Sequence, residues 1–221
     1  MALIMPDSRV TPREDVEDAL RLVRELGVEH RRLTIDDIVD SFVRVAGEAG
    51  RKTVGNLRAR IRMCLLYYVA NEENLLVAGT GDRSELLIGY FTKYGDGAAD
   101  FLPIAVLYKT QVRRLARHLG VPERIAFKPS APRLWEGHLA EKELGVTYEQ
   151  VDLSLFAMVD LGLPPGRAAE VTGVGLDVVD RVYELMQAAR HKLVPLPAPR
   201  LESVYAAWHG LEKARGVLQG S

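Results

Sequence analysis

The sequence predicts an α/β fold, a parallel sheet flanked by helices, with a mainly helical C-terminal third. Three segments typical of short strands occur in the first half of the chain, at Leu3–Met5, His30–Leu33 and Leu75–Ala78. Stretches with apolar residues at helical spacing separate them. From Thr147 onward the spacing of apolar residues is helical. Strands that alternate with helices favour a parallel sheet, because parallel strands need long crossover connections.

Two helices are predicted between these first strands from their start and stop signals. Thr11 and Pro12 are typical of a helix start, with Thr11 as the cap, and Gly27 ends that helix. A second helix is predicted to begin at Thr34 and to end at Gly47.

Residues 47–55 are glycine-rich and polar, which predicts a loop before a helix over Asn56–Ala70. The buried face of that helix is expected to carry five residues, Leu57, Ile61, Cys64, Leu65 and Tyr68. The Leu75–Ala78 strand follows, and its continuous apolar run is the clearest signal of a buried strand in the sequence.

The second half of the chain is predicted to contain two long loops and a series of helices. The loops are Gly89–Asp100 and Lys128–Gly145. The helices are predicted over Tyr108–Leu119, Tyr148–Leu161, Arg167–Val171, Leu176–His191 and Leu201–Val217. Residues 1–194 are expected to form one α/β domain, with residues 195–221 as a proline-rich linker and a C-terminal helix.

Composition excludes several classes of protein. Lys and Arg number 29 and Asp and Glu 30, so the net charge of -1 gives no general attraction to nucleic acid or to an anionic membrane. A single cysteine, Cys64, excludes an internal disulfide and any site with several thiolate ligands. No apolar run approaches the roughly 18 residues of a membrane span. We therefore expect a cytoplasmic protein that binds neither nucleic acid nor a membrane.

The segment GTGDRSE, residues 79–85, directly follows the predicted buried strand. Ligands of parallel α/β sheets bind at the carboxyl ends of the strands, where Thr80 offers a hydroxyl and backbone N–H groups to a nucleotide. Glu85 lies one helical turn further on and offers a carboxylate to Mg²⁺. The same segment is also compatible with an ordinary polar turn in which Ser84 caps a helix.

A glycine-rich loop places three more charged residues close together in the sequence. The run GYFTKYGDGAAD, residues 89–100, contains Lys93, Asp96 and Asp100, and LYKTQ follows it at residues 107–111. Together with GTGDRSE, these motifs resemble the NAD synthetase family, and the resemblance extends from about Met5 to Lys192. It implies an adenine-nucleotide α-hydrolase-like, Rossmann-like fold.

The resemblance implies a ligase that amidates deamido-NAD to NAD with ATP, Mg²⁺ and ammonia, through an adenylated nicotinate. Members of that family are homodimers. Carried over by position, the ATP contacts are Thr80 and Lys109, with Ser130 in place of a family hydroxyl residue that is Ala131 here. Glu85 is the implied metal ligand. The implied contacts to deamido-NAD are Arg60, Lys93, Asp96, Asp100, His191 and Lys192, and no catalytic residue is assigned.

Several of these residues also have ordinary structural explanations. Arg60 lies between Arg58 and Arg62, and arginines on helices usually face solvent. His191 and Lys192 are equally typical of a cationic helix C-terminus. Two alternative functions therefore stay open: a truncated, weakly active nucleotide-binding homodimer of the same fold, or a helical protein-interaction module.

One departure from the family concerns the phosphate loop. Family members have a Ser-Gly-Gly-x-Asp-Ser loop after a first, central strand, and Ser-Gly-Gly does not occur in these 221 residues. For these residues alone we expect weak ATP binding. We also expect the strands at Leu3–Met5 and Leu75–Ala78 either to pair directly or to leave a split sheet that a partner chain patches, because a gap of unpaired backbone groups is costly.

Overall fold

The computed structural model describes residues 1–194, and within them parallel strands are interleaved with helices. The strands are β1 (Ala2–Ile4) and β2 (His30–Arg32). The helices are α1 (Arg13–Glu25), α2 (Asp36–Ala46), α3 (Arg51–Glu73), α4 (Arg83–Ile88), α5 (Lys109–His118), α6 (Glu123–Ala126), α7 (Ala140–Leu144), α8 (Tyr148–Leu155), α9 (Pro165–Thr172) and α10 (Leu176–Leu193).

The first two predicted strands form the parallel pair that the sequence indicates. β1 pairs with β2 in the register Ala2 with His30, Leu3 with Arg31 and Ile4 with Arg32. Helix α1 makes the crossover between them. Parallel strands joined by a helix are the basic unit of an α/β fold.

A second parallel pairing occurs at the predicted third strand, but it is much shorter than expected. Ala78 forms an isolated parallel bridge with Phe101, where Gly79 N donates to Phe101 O at 2.9 Å. The prediction of a buried strand over Leu75–Ala78 is wrong, because Leu76 is 73% exposed and no longer ladder forms. Hydrogen bonds join this segment to residues 100–101 on one side.

The two parallel pairings do not form one continuous sheet. In residues 1–194, β1 lies in a two-stranded sheet with β2, and the bridge between Ala78 and Phe101 is separate from it. Direct pairing of the Leu3–Met5 strand with Leu75–Ala78 is therefore contradicted, and the alternative of a split sheet is what the described residues contain.

Helix α3 begins earlier and is exposed over more of its surface than the sequence indicates. It starts at Arg51 after Gly50, so the predicted loop over 47–55 is shortened to residues 47–50. Ile61 packs into a cluster with Ile35 and Val39 of the neighbouring α2 segment. Cys64 and Tyr68, predicted to be buried, are exposed, because the face of α3 that packs on the α2 segment is the one that carries Ile61.

Helices of the second half enclose the main core. Ile88 of α4, Tyr108 before α5, Val151 and Leu155 of α8 and Val182 of α10 are buried together. This packing sets α4 and α5 against α8. Their N-terminal residues carry the candidate site described below.

The predicted helix over Tyr148–Leu161 changes its winding partway. α8 ends at Leu155 and a π-helical segment, Phe156–Asp160, continues it. In this segment Asp160 accepts hydrogen bonds from the hydroxyl of Tyr108 and from Arg83 Nη2, the latter at 2.6 Å. The wider turn thus brings a carboxylate to the ends of α4 and α5.

The chain divides into two compact units, Met1–Arg190 and His191–Ser221. The predicted proline-rich linker and the helix over Leu201–Val217 lie outside the described residues. In the part of the chain that is described, no helix combines the length and the apolar character needed to cross a bilayer.

Asp7 connects the end of β1 to the helices around it. Its side chain is fully buried and accepts hydrogen bonds from Arg58 Nε at 2.7 Å and Arg9 Nε at 2.8 Å. Arg58 in turn donates from Nη1 to Leu134 O at 2.8 Å. Thr11 does not cap α1 as predicted, since its hydroxyl accepts from Asp7 N and Pro12 occupies the N-cap position.

This ion pair makes stability depend on pH in the acid range. Burial alone would raise the pKa of Asp7, but the hydrogen bonds from Arg9 and Arg58 outweigh it and lower the pKa from 3.8 to about 2. A lowered pKa stabilises the folded state above the unfolded-state pKa, and this contribution is lost as the pH falls through the folded-state value. The shift corresponds to about 2 kcal/mol.

We predict that Asp7→Asn destabilises the protein most at neutral pH. The difference in free energy of unfolding between wild type and variant should be constant from about pH 7 to pH 5 and shrink by about 2 kcal/mol towards pH 2. Urea unfolding across this range measures it. Asp40→Asn, which changes an exposed partner of Arg9, is the control and should have little effect. A difference for Asp7→Asn that is the same at pH 2.5 and pH 7 would contradict this account.

Candidate functional site

The segment after Gly79 forms a turn and the start of α4. A Cβ atom on Gly79 would lie 2.5 Å from a methyl carbon of Leu102 and 2.6 Å from Cβ of Ala99, so a larger residue does not fit here. Asp82, and not Ser84, is the N-cap of α4. Its Oδ1 accepts from Glu85 N at 3.0 Å, while Glu85 Oε2 accepts from Asp82 N at 3.3 Å. This reciprocal capping box holds both carboxylates in place.

Lys109, the first residue of α5, lies against both of these carboxylates. Its Nζ is 2.5 Å from Asp82 Oδ2 and 2.7 Å from Glu85 Oε1. The Asp82 side chain is fully buried, and that of Lys109 is 15% exposed. Tyr148 closes the other side, with its ring centroid 5.2 Å from the ammonium. The cluster of Asp82, Glu85 and Lys109 is called the carboxylate–lysine cluster below.

Burial and charge act in opposite directions on the groups of this cluster. Burial raises the pKa of the Glu85 carboxyl, and the Lys109 ammonium offsets only part of that effect. Burial opposes the charge on Lys109, but the Glu85 and Asp82 carboxylates outweigh it and raise the pKa of Lys109. Lys109 is therefore held as an ammonium ion in a site with little water around it.

Sequence reasoning missed the buried pair that supports this cluster, Ser84 and Asp152. Ser84 Oγ donates to Asp152 Oδ1 at 2.5 Å and accepts from Lys109 N at 2.9 Å. Asp152 Oδ2 accepts from Thr110 N at 2.8 Å. Asp152 of α8 thus fixes the N-termini of α4 and α5 relative to each other. The one sequence signal was a carboxylate next to the apolar positions Tyr148 and Val151 of a buried helix.

The glycine-rich loop 89–100 brings some of its predicted site residues next to α3. Arg60 is exposed on α3, and its Nε donates to Lys93 O at 3.3 Å. Asp96 Oδ1 accepts from Thr92 N at 2.9 Å, which closes the turn of the loop. The structure therefore brings Arg60, Lys93 and Asp96 into one neighbourhood and gives Asp96 a role in the loop's own conformation.

Asp100 connects the loop to two other segments. Its Oδ2 accepts from Val77 N at 2.7 Å, and its Oδ1 accepts from the hydroxyl of Tyr67 at 3.2 Å. Asp100 itself is exposed, so it combines a structural contact with an accessible position.

The remaining predicted contacts lie on different segments. Thr80 is exposed in the turn between Gly79 and Gly81. Ser130 is half-buried, and its carbonyl accepts from Ala140 N at 2.8 Å, at the start of α7. His191 and Lys192 lie near the end of α10 and belong to the second compact unit.

A second group that sequence reasoning missed lies beneath the loop that contains Ser130. Glu143 Oε2 accepts from the hydroxyl of Tyr90 at 2.8 Å and lies 2.8 Å from His138 Nε2. Burial opposes ionisation of Glu143, but the contacts with His138 and Tyr90 outweigh it and lower the pKa of Glu143. Trp135 stacks on the His138 ring with a centroid separation of 3.5 Å. No spacing in the sequence indicated this group.

Ion pairs also attach the beginning of this loop to α1. Lys128 Nζ lies 2.6 Å from Asp15 Oδ1 and 3.0 Å from Asp18 Oδ2. Arg133 Nε lies 2.7 Å from Asp15 Oδ2. The loop is thus anchored at α1, at α3 through Leu134, and at α7.

The donor chemistry of the site is limited to oxygen and cationic nitrogen. Among the residues that the structure describes, no three His, Cys, Asp or Glu side chains converge in a way that could hold a metal ion. Asp82 and Glu85 provide two carboxylates that converge on one point, where the Lys109 ammonium lies.

The sequence of the chain matches one known protein family over all of the described residues. The family described as "NAD synthase" matches residues 1–196. The chain belongs to the NAD synthase family. The resemblance based on the motifs in residues 79–111 is therefore confirmed.

Curated relatives extend the match. The chain is 62% identical over 200 residues to an NH(3)-dependent NAD(+) synthetase of Hyperthermus butylicus, covering 90% of this chain and 72% of the relative. A protein of the same description from Staphylothermus marinus is 53% identical over 202 residues, covering 90% and 74%.

Solved structures agree with the fold. An NMN synthetase from Francisella tularensis matches with a TM-score of 0.78 and 34% identity, covering 90% of this chain and 77% of that structure. An NH3-dependent NAD synthetase from Campylobacter jejuni matches with a TM-score of 0.72 and 30% identity, covering 90% and 76%. The predicted fold class and the prediction of an ATP-dependent ligase that forms NAD are confirmed. The alternative of a helical protein-interaction module has no support.

We predict that the contacts of Asp152 are needed for folding stability. Asp152→Ala leaves the buried Ser84 hydroxyl and the Thr110 N–H without their acceptor, which should cost about 2 to 4 kcal/mol of unfolding free energy. Asp152→Asn keeps one acceptor oxygen and should cost about half as much or less. Denaturant unfolding measures both. Asp180→Ala, an exposed acid on α10, is the control. Equal losses for Ala and Asn would contradict a role through hydrogen bonding.

Proposed function

We propose that the described site uses deamido-NAD as the acid substrate, with ATP and free ammonia, to form NAD. The observation that carries this proposal is the match to NH(3)-dependent NAD(+) synthetases over nine-tenths of the chain. The cationic side chains suited to phosphate support it, and they occur in two places. One is the carboxylate–lysine cluster, and the other is formed by Arg60 and Lys93, where Arg60 Nε donates to Lys93 O.

We assign ATP to the side of the carboxylate–lysine cluster. Thr80 and Ser130 offer hydroxyl groups, and Lys109 offers an ammonium for phosphate oxygens. Deamido-NAD is assigned to the side of the glycine-rich loop. Its contacts on this assignment are Arg60, Lys93, Asp96, Asp100, His191 and Lys192. The positions of Arg60 next to the Lys93 carbonyl and of Asp96 within the same turn support a shared surface.

The proposed chemistry has two steps. In the first, an oxygen of the nicotinate carboxylate bonds to the α-phosphorus of ATP while the bond to pyrophosphate breaks. In the second, ammonia bonds to the carboxyl carbon, a proton leaves the nitrogen, and AMP departs with the shared oxygen. Both substrates are polyanions, so positive charge from Lys93, Arg60 and Lys109 is required to bring them together.

We propose Mg²⁺ as the metal, held by Glu85 with Asp82 beside it. The donor set fits, since Mg²⁺ prefers hard oxygen ligands and takes only one or two carboxylates from a protein. The Asp82 side chain is fully buried, and its Oδ2 lies beside Glu85 Oε1 at the position of the Lys109 ammonium, so two anionic oxygens face one cation position. When bound, Mg²⁺ offsets the negative charge of the triphosphate and of the leaving pyrophosphate.

We also propose a homodimer in the cytoplasm. Support for a second copy comes from large apolar side chains exposed on neighbouring helices. Val45 of α2 is 89% exposed, and Phe42 and Tyr68 are exposed as well. A cytoplasmic location agrees with the need for ATP. Light scattering coupled to gel filtration measures the oligomeric state directly.

We predict that the protein forms NAD from deamido-NAD, ATP, Mg²⁺ and ammonium. NAD is measured by an enzymatic cycling assay, in parallel with AMP release. Nicotinate mononucleotide in place of deamido-NAD distinguishes this from the chemistry suggested by the Francisella tularensis structure. Deamido-NAD should give at least a tenfold higher kcat/KM. A preference for the mononucleotide, or the absence of NAD, would overturn the proposal.

Lys93→Ala tests the assignment of substrates to the two sides of the site. Its KM for deamido-NAD should rise about tenfold or more, and its KM for ATP should change much less, because a single charged contact contributes about 1.5 to 3 kcal/mol. Arg21→Ala removes an exposed charge from α1 and is the control with unchanged constants.

A further inference from the structure

We propose that the Lys109 ammonium occupies the position that Mg²⁺ takes between Asp82 and Glu85, and that metal binding displaces this ammonium towards the nucleotide phosphates. Asp82 is thereby assigned as a second metal-binding residue next to Glu85. The inference rests on the proposed magnesium role of Glu85, and it adds an exchange between the protein's own cation and the metal.

The capping box defines which oxygens take part. Asp82 Oδ1 and Glu85 Oε2 are both used within the box, where they accept backbone N–H groups. Asp82 Oδ2 and Glu85 Oε1 remain, and both point to the same place, 2.5 Å and 2.7 Å from Lys109 Nζ. Since the box fixes the two carboxylates, their remaining oxygens form a preorganised pair of anionic donors.

The Lys109 ammonium is the partner of both remaining oxygens. Asp82 Oδ2 forms an ion pair with Nζ at 2.5 Å, and Glu85 Oε1 accepts a hydrogen bond from Nζ at 2.7 Å. Two carboxylate oxygens within ion-pair distance of one point, one of them fully buried, are suited to a small hard cation.

Charge explains why a cation is present in the first place. Two neighbouring carboxylates, one of them fully buried, destabilise the fold unless a positive charge lies beside them. One ammonium neutralises half of their charge, whereas a divalent cation neutralises all of it. Electrostatics therefore favours the exchange when the metal arrives, provided that the displaced ammonium finds another anion, which the phosphates of ATP supply.

The exchange needs movement of only one side chain. Lys109 N is fixed by its hydrogen bond to Ser84 Oγ, and Ser84 is fixed by Asp152. The backbone at the start of α5 therefore stays in place, and rotation of the lysine stem moves the ammonium by several ångströms. Lys109 thus pairs with the two carboxylates before the metal binds, and with the nucleotide phosphates after the metal binds.

Mn²⁺ binding without nucleotide tests this directly, with electron paramagnetic resonance of free Mn²⁺ as the readout. Lys109→Met removes the competing ammonium, so its affinity for Mn²⁺ should exceed that of wild type by about tenfold or more. Lys109→Arg keeps the positive charge and should retain the low affinity of wild type. Equal or weaker binding by Lys109→Met would overturn the exchange.

Two further measurements keep the outcomes separate. Glu85→Gln and Asp82→Asn, each combined with Lys109→Met, should abolish the gain in affinity. If only Glu85→Gln does so, Asp82 is not a metal-binding residue. The proposed metal role of Glu85 itself fails under one outcome. In that outcome Glu85→Gln leaves Mn²⁺ binding unchanged both as a single variant measured with ATP and when combined with Lys109→Met.

Should Lys109→Met fold poorly, thermal unfolding with and without Mn²⁺ replaces the titration. A larger rise in Tm with Mn²⁺ than in wild type is then expected, and an equal or smaller rise overturns the exchange.

Discussion

Two fixed carboxylates that share one ammonium are the constraint on which the site depends. The capping box at the start of α4 orients Asp82 and Glu85, and Lys109 at the start of α5 compensates their charge. Because Asp82 is fully buried, this arrangement cannot loosen without leaving a carboxylate uncompensated. The cluster therefore holds the N-terminal ends of α4 and α5 together, at the place to which we assign ATP and the metal.

Two buried carboxylates connect the helices around the carboxylate–lysine cluster to each other and to β1. Asp152 of α8 connects α4 and α5 through Ser84 and Thr110, and the main hydrophobic core lies directly behind them. A second ion pair, between Asp7 and Arg58, connects the end of β1 to α3. Arg58 also donates a hydrogen bond to Leu134 O in the loop that follows α6. Asp7 and Asp152 are thus buried carboxylates that each accept hydrogen bonds from several donors. Their contacts hold segments whose own sequences are polar and rich in glycine.

Most helices could be predicted from the sequence because their apolar spacing and glycine stops are local signals. The strand over Leu75–Ala78 could not, since an apolar run becomes a buried strand only if neighbours cover both of its edges, and here hydrogen bonds join one edge to residues 100–101. Glu85, Lys109 and Lys93 were predicted as site residues from motifs, and that assignment stays a prediction. The contacts of Asp152 with Ser84 and of Glu143 with Tyr90 were not predicted, because the partners lie 68 and 53 residues apart in the sequence, and no local spacing encodes such contacts. The placement of Lys109 between two acids also required the structure.

The central claim is that this site activates a carboxylate by transfer to the α-phosphorus of ATP. Deamido-NAD labelled with ¹⁸O in its nicotinate carboxyl group tests the claim most directly. Attack of the carboxylate on the α-phosphorus transfers one labelled oxygen, so mass spectrometry should find a single ¹⁸O in the AMP and one in the amide of NAD. AMP without label, or label in inorganic phosphate with ADP as the nucleotide product, would contradict this account.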